Sequence, residues 1–114
     1  MAIPSGSGTE VLKSLSGTIT SAYTLTPTQH HIYVVLNIIF KNNHSSNTQI
    51  HLELSNDSGS NYVWLLEDTP MAKDETFAWN DKLVLYDNTS RLRITPNGTD
   101  PLMYCINYID QDWS

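Results

Sequence analysis

The sequence predicts an all-β domain: an antiparallel β-sandwich of jelly-roll-like kind, with about eight strands and an extended N-terminal arm. Three observations predict it. Apolar and polar residues alternate with period two over repeated short runs. Those runs are rich in β-branched and aromatic residues, which favour strand over helix. Clusters of Asn, Asp, Gly and Pro separate them at the spacing of a sandwich. The 114 residues suit one domain, and a chain of that length can bury a core without disulfides or metals. The expected division is an arm over residues 1–9 and a single sandwich over 10–114.

The arm begins MAIPSGSG, where Pro4, Gly6 and Gly8 stand among serines and cannot hold a helix. Residues 10–26 are mixed: 11–15 could start a helix, but Thr18, Ile19, Thr20 and Tyr23 favour at least one strand. Residues 31–41 form the longest alternation. Ile32, Val34, Leu36, Ile38 and Phe40 fall on one wholly apolar face, opposite His31, Tyr33, Val35, Asn37 and Ile39. Residues 48–55 alternate cleanly, with Ile50, Leu52 and Leu54 inward. NDSGS at 56–60 is a turn, so a hairpin to the next run is expected.

Tyr62, Trp64 and Leu66 share one expected face, and Pro70 breaks that run. Phe77 with Trp79, Leu83 with Leu85, and Leu92 with Ile94 supply three more inward pairs. Pro96-Asn97-Gly98 is the sharpest turn. Residues 102–109 then form a strand apolar on both faces, which reads as a central strand with Tyr104 and Ile106 in the core.

Composition excludes several functions. The net charge is −6, and the six Lys and Arg are scattered except for Arg91 and Arg93. A phosphate backbone or an anionic membrane surface needs clustered cations, so neither nucleic acid nor membrane is an expected partner. The single cysteine, Cys105, allows no internal disulfide and fits folding in a reducing compartment. With apolar neighbours and no nearby cation, it reads as a buried structural residue. The first nine residues lack the charge and apolar core of a signal peptide.

The residues suggest no chemistry. Adjacent His30 and His31 point opposite ways on a strand, while pairing of strands that placed His31 near His51 and Glu53 would be needed for a zinc site. The acids at Glu67-Asp68, Asp74-Glu75, Asp110 and Asp112 follow no calcium-loop spacing. No nucleophile, phosphate-loop or dinucleotide motif occurs. No catalytic residue, metal ligand or cofactor is therefore expected. Trp64 and Trp79 read as core. A face of exposed aromatics would instead mark a carbohydrate-binding module. Trp113, beyond the last strand, must fold back on its own domain or dock on a neighbour.

Four stretches together resemble the small virion structural proteins of marine tailed bacteriophages: MAIPSGSGTEVLK (1–13), HIYVVLNIIF (31–40), TFAWNDKLVL (76–85) and YCINYIDQDW (104–113). The resemblance implies a non-enzymatic capsid or tail component assembled in the bacterial cytoplasm, with capsid cement (decoration) favoured over a neck or tail protein. It implies the major capsid protein or other virion proteins as partners, and a homo-oligomer, a trimer for this class of object. The expected contact residues are Ile3 and Pro4 in the arm, with Tyr108, Ile109 and Trp113 at the other end.

Overall fold

The computed structural model describes residues 8–114. Nine strands follow in order: β1 (Thr9–Ile19), β2 (Tyr23–Leu25), β3 (His31–Asn42), β4 (Thr48–Ser55), β5 (Val63–Met71), β6 (Thr76–Trp79), β7 (Leu83–Tyr86), β8 (Arg91–Pro96) and β9 (Leu102–Asp112). One turn of 3-10 helix, Asp87–Thr89, lies between β7 and β8. The arm residues 1–7, including Ile3 and Pro4, lie outside the described residues. Thr9, placed at the end of the arm by sequence, already pairs with Asp112.

The strands form two antiparallel sheets. Sheet A runs β1-β9-β3, with β6 and β7 sharing the far side of β3; sheet B runs β2-β8-β4-β5. β4 and β5 form the expected hairpin, and β9 is central, between β1 and β3. The segment of uncertain character yields two strands, because residues 11–15 pair along β9 and do not coil into a helix. Pro70 lies within β5, where the edge position tolerates its missing N–H.

The core fills the space between the sheets. Val35, Ile38, Phe40, Leu85, Leu102 and Ile106 of sheet A meet Ile50, Leu52, Leu92 and Ile94 of sheet B, all of them fully buried or nearly so. Tyr33 and Tyr108 pack at 4.8 Å, and Tyr23 stacks on Tyr104 at 5.1 Å.

Two bulges reassign faces that strict alternation had set. On β3 the register with β9 shifts between Val35 and Asn37. The inward set is therefore Tyr33 and Val35 before the bulge, then Ile38, Phe40 and Asn42 after it. Ile32, Val34 and Leu36, expected inside, are only half-buried. On β5 the register breaks on both sides of Leu52, so Leu66 opposes Leu52 while Trp64 opposes Glu53. The extra residue, Leu65, sends Leu66 inward and Trp64 outward. Trp64 is 48% exposed and not a core residue. Trp79 is half-buried and packs on the core.

One buried polar residue ties the sandwich end. Asn42, fully buried, donates through Nδ2 to the carbonyls of Ser46, Met71 and Ala72, and its Oδ1 accepts from the His44 N–H. It holds the β3–β4 turn against the β5–β6 turn.

Candidate assembly surface

The outer face of sheet A is the feature most in need of a function. The strand register lays its residues in cross-strand rows. Glu10, Gln111, Ile32 and Tyr86 form the first row, and Leu12, Ile109, Val34 and Val84 the second. Ser14, Asn107 and Asn37 follow. Then come Ser16, Cys105, Ile39 and Ala78, and last Thr18, Met103, Lys41 and Thr76. The second row is apolar across four strands, with Leu12 70% and Val84 51% exposed at its ends. Tyr86, Ile39 and Met103 add further exposed apolar surface.

Only two formal charges stand on these rows, Glu10 and Lys41, and they cancel. Glu10 accepts a 2.9 Å hydrogen bond from Gln111 Nε2. The chain as a whole carries −6, so its acidity lies elsewhere, and this face can approach a like-charged neighbour without net repulsion. A groove of about 310 Å³ crosses its lower half, lined by Ser16, Thr18, Ile39, Lys41, Met103 and Cys105 among others. Cys105 is half-buried on this outer face, not in the core. Ser14 Oγ lies 3.5 Å from its Sγ.

The expected contact residues divide. Ile109 stands in the apolar second row. Tyr108 faces the opposite way, buried against Tyr33, and is a core residue. The alternation of β9 puts it with Tyr104 and Ile106. Trp113 folds back on its own domain. Its backbone N–H donates to the His30 carbonyl at 3.0 Å, and its ring lies so close to Gly8 that an added Cβ would stand 2.7 Å from Cε3. The glycine is needed for that contact.

The titratable groups form structural pairs. Asp110, 5% exposed on the inner face, receives Lys13 Nζ at 2.7 Å and lies 2.7 Å from His31 Nδ1. Burial pushes its carboxyl up, but the two hydrogen bonds and the neighbouring charges outweigh it and hold it below the usual value. Asp57, in the β4–β5 turn, accepts from Ser55 Oγ and from the Asn61 N–H and Nδ2. Those bonds lower it to about 2. His31 and His51 do not meet: one is on the inner face of sheet A, the other on the outer face of sheet B, 5.9 Å from Trp64. Among the described residues no three His, Cys, Asp or Glu converge as a metal site requires.

On that outer face of sheet B, Glu53 is buried by its neighbours and takes Arg93 bidentately, Nε at 3.0 Å and Nη2 at 2.8 Å. The guanidinium sits 3.9 Å over the Tyr62 ring. Trp64 stands opposite Glu53.

No protein-family profile matches the chain, and no curated protein does. Several solved structures share its fold. The Drosophila NLP core, described in terms of pentamer formation and histone binding, is similar at TM-score 0.55 and 17% identity over 84% of this chain and 96% of that one. A chain of infectious bursal disease virus, Gx strain, is similar at TM-score 0.51 and 6% identity. The match covers 96% of this chain and 34% of that longer one. A Bacillus endospore appendage protein, from a family of disulfide-linked pili, reaches TM-score 0.51 at 10% identity over 100% and 97%. At such identities the likeness is one of fold: a nearly all-β sandwich of two antiparallel sheets.

Proposed function

We propose that this chain is a non-enzymatic structural subunit of a virion: a capsid cement or decoration protein on the outer shell, held by the major capsid protein and by copies of itself. The observation that carries the reading is the outer face of sheet A, an apolar and charge-balanced surface on an otherwise acidic sandwich. A surface of that kind marks a contact between proteins. Decoration asks for a rigid body repeated at equivalent sites, where weak contacts add up to avidity. The excess of acids favours the outside of a shell over an inside lined by packaged nucleic acid. The similar folds described above belong to a pentamer-forming core, a virus and a pilus, three settings in which copies assemble. The unit is a homo-oligomer, with three copies as the count implied by the class of object.

The test is copy number and place. Quantitative mass spectrometry of purified virions, with the density located, should find hundreds of copies on the outer shell. A dozen or fewer at one vertex or along the tail would replace cement with a neck or tail protein. A second reading, a receptor- or carbohydrate-binding adhesion module, is favoured by one observation: Trp64 stands exposed beside Tyr62, His51 and the Glu53–Arg93 pair. Glycan-array binding lost in Trp64→Ala would support it.

A further inference from the structure

We infer that β1 is the strand through which one copy of this chain binds another, by antiparallel pairing of the two β1 edges around a two-fold axis. The four sheet edges are built differently. β2 is three residues long. β5 carries Pro70, two register breaks, and Asp68 at φ 48°. β6 and β7 are four residues each, and residues 80–82 interrupt them. Shortness, proline, bulges and charge are the devices that keep an edge from pairing with another chain. β1 has none of the first three. It runs 11 residues in unbroken register, from Thr9 opposite Asp112 to Ile19 opposite Leu102, and among the described strands it pairs only with β9.

Its two charges do not guard it. Lys13 is drawn inward to Asp110, Glu10 is tied to Gln111, and together they cancel. Backbone groups along such an edge are satisfied by an extended, unbulged strand with a free side. Within a population of identical chains, the described edge that fits is β1 of a second copy.

Face matching sets the register. Continuing the sheet requires inward residues opposite inward ones, so paired positions share parity. An axis at Leu12 sets Leu12 opposite its counterpart and Val11 opposite the Lys13 stem of the other copy, which covers it. The apolar row Val84, Val34, Ile109, Leu12 then continues into the same row of the second copy. If the unit is a trimer, this contact joins one trimer to the next and the count in solution becomes even.

The test is directed cross-linking in the full chain with Cys105→Ser. Leu12→Cys and Val84→Cys place thiols at the two opposite ends of one apolar row, both exposed. Directly opposed positions in an antiparallel pair bring Cα atoms within disulfide range, so Leu12→Cys should give at least about tenfold more covalent dimer than Val84→Cys under mild oxidation. Leu12→Lys should lower the even-numbered mass in native mass spectrometry while leaving the circular dichroism spectrum unchanged. Equal yields at the two positions, or no dimer at Leu12→Cys, overturn the pairing. The proposed function fails separately: a cement protein whose β1 edge is taken by the capsid protein would sit on the shell and give no Leu12 cross-link.

Discussion

Asn37 Oδ1 accepts a 2.7 Å hydrogen bond from Asn107 Nδ2, across β3 and β9, immediately after the register skips Leu36. The pair fixes the point at which the long strand changes the parity of its faces. A deletion experiment follows. Removing Leu36 leaves Val35 inward, Asn37 outward and Ile38 inward, so both faces survive; removing Ile39 turns Phe40 and Asn42 outward. The Leu36 deletion should melt cooperatively with native near-ultraviolet circular dichroism. The Ile39 deletion should not fold. Equal behaviour of the two would mean that the bulge does not set the faces.

Asn42 is a fully buried polar tie between two turns at one end of the sandwich. Asn42→Leu leaves three carbonyls without their donor, that of Met71 in a buried site, and it should cost about 1–3 kcal/mol in urea unfolding, as expected for one buried unsatisfied group. A loss under half of that would show the two turns to be held by their backbones alone.

Acid should act through Asp110 and Asp57. Both carboxyls are lowered on folding, so their contribution is present above the ordinary carboxylate value and is lost as pH falls through the folded value. Stability should decline below about pH 4, the ordinary carboxylate range. The Asp57 carboxyl should titrate by NMR with its midpoint near 2. Asp110→Asn should flatten the acid limb of the curve. It should also cost about 1–2 kcal/mol at neutral pH, as expected for losing hydrogen bonds to charged groups. An unchanged acid limb would remove Asp110 from the account.

Gly8 and Trp113 should depend on one another. A Cβ at residue 8 collides with the indole, so Gly8→Ala should expose Trp113 and shift its fluorescence to longer wavelength, read with Trp64 and Trp79 replaced by Phe. No shift would place the ring elsewhere.

Much of the fold was legible in the sequence, because a strand announces itself locally. The runs at 31–41, 48–55 and 102–109 gave their strands, NDSGS gave the β4–β5 hairpin, and two apolar faces gave β9 its central place. Face assignment failed where a single extra residue intervened. Leu36 and Leu65 have the composition of any strand residue, and only pairing with a partner strand shows that they are skipped; hence Val34 and Trp64 were placed inside.

The candidate surface was less legible, since it exists only after β1, β9, β3 and β7 are brought side by side from distant parts of the chain. Ile109, which stands on that surface, and Tyr108 were both expected as contacts from their position near the end of the chain. Tyr108 is instead buried in the core, as the period of its own strand, which aligns it with Tyr104 and Ile106, implies. Leu12, Val84 and Met103 were missed because each stands beside other apolar residues, Val11, Leu83 and Leu85, and Leu102 and Tyr104, so nothing local marks the outward one.

Met103 and Trp64 lie on opposite outer faces, 39% and 48% exposed, and both react with hydroxyl radical. Footprinting by mass spectrometry, on the free subunit and on purified virions, compares the two faces directly. If the outer face of sheet A is the assembly surface, Met103 is protected several-fold in the particle while Trp64 keeps its free-subunit reactivity. Met103 left as reactive as in the free subunit, or Trp64 alone protected, would contradict the account.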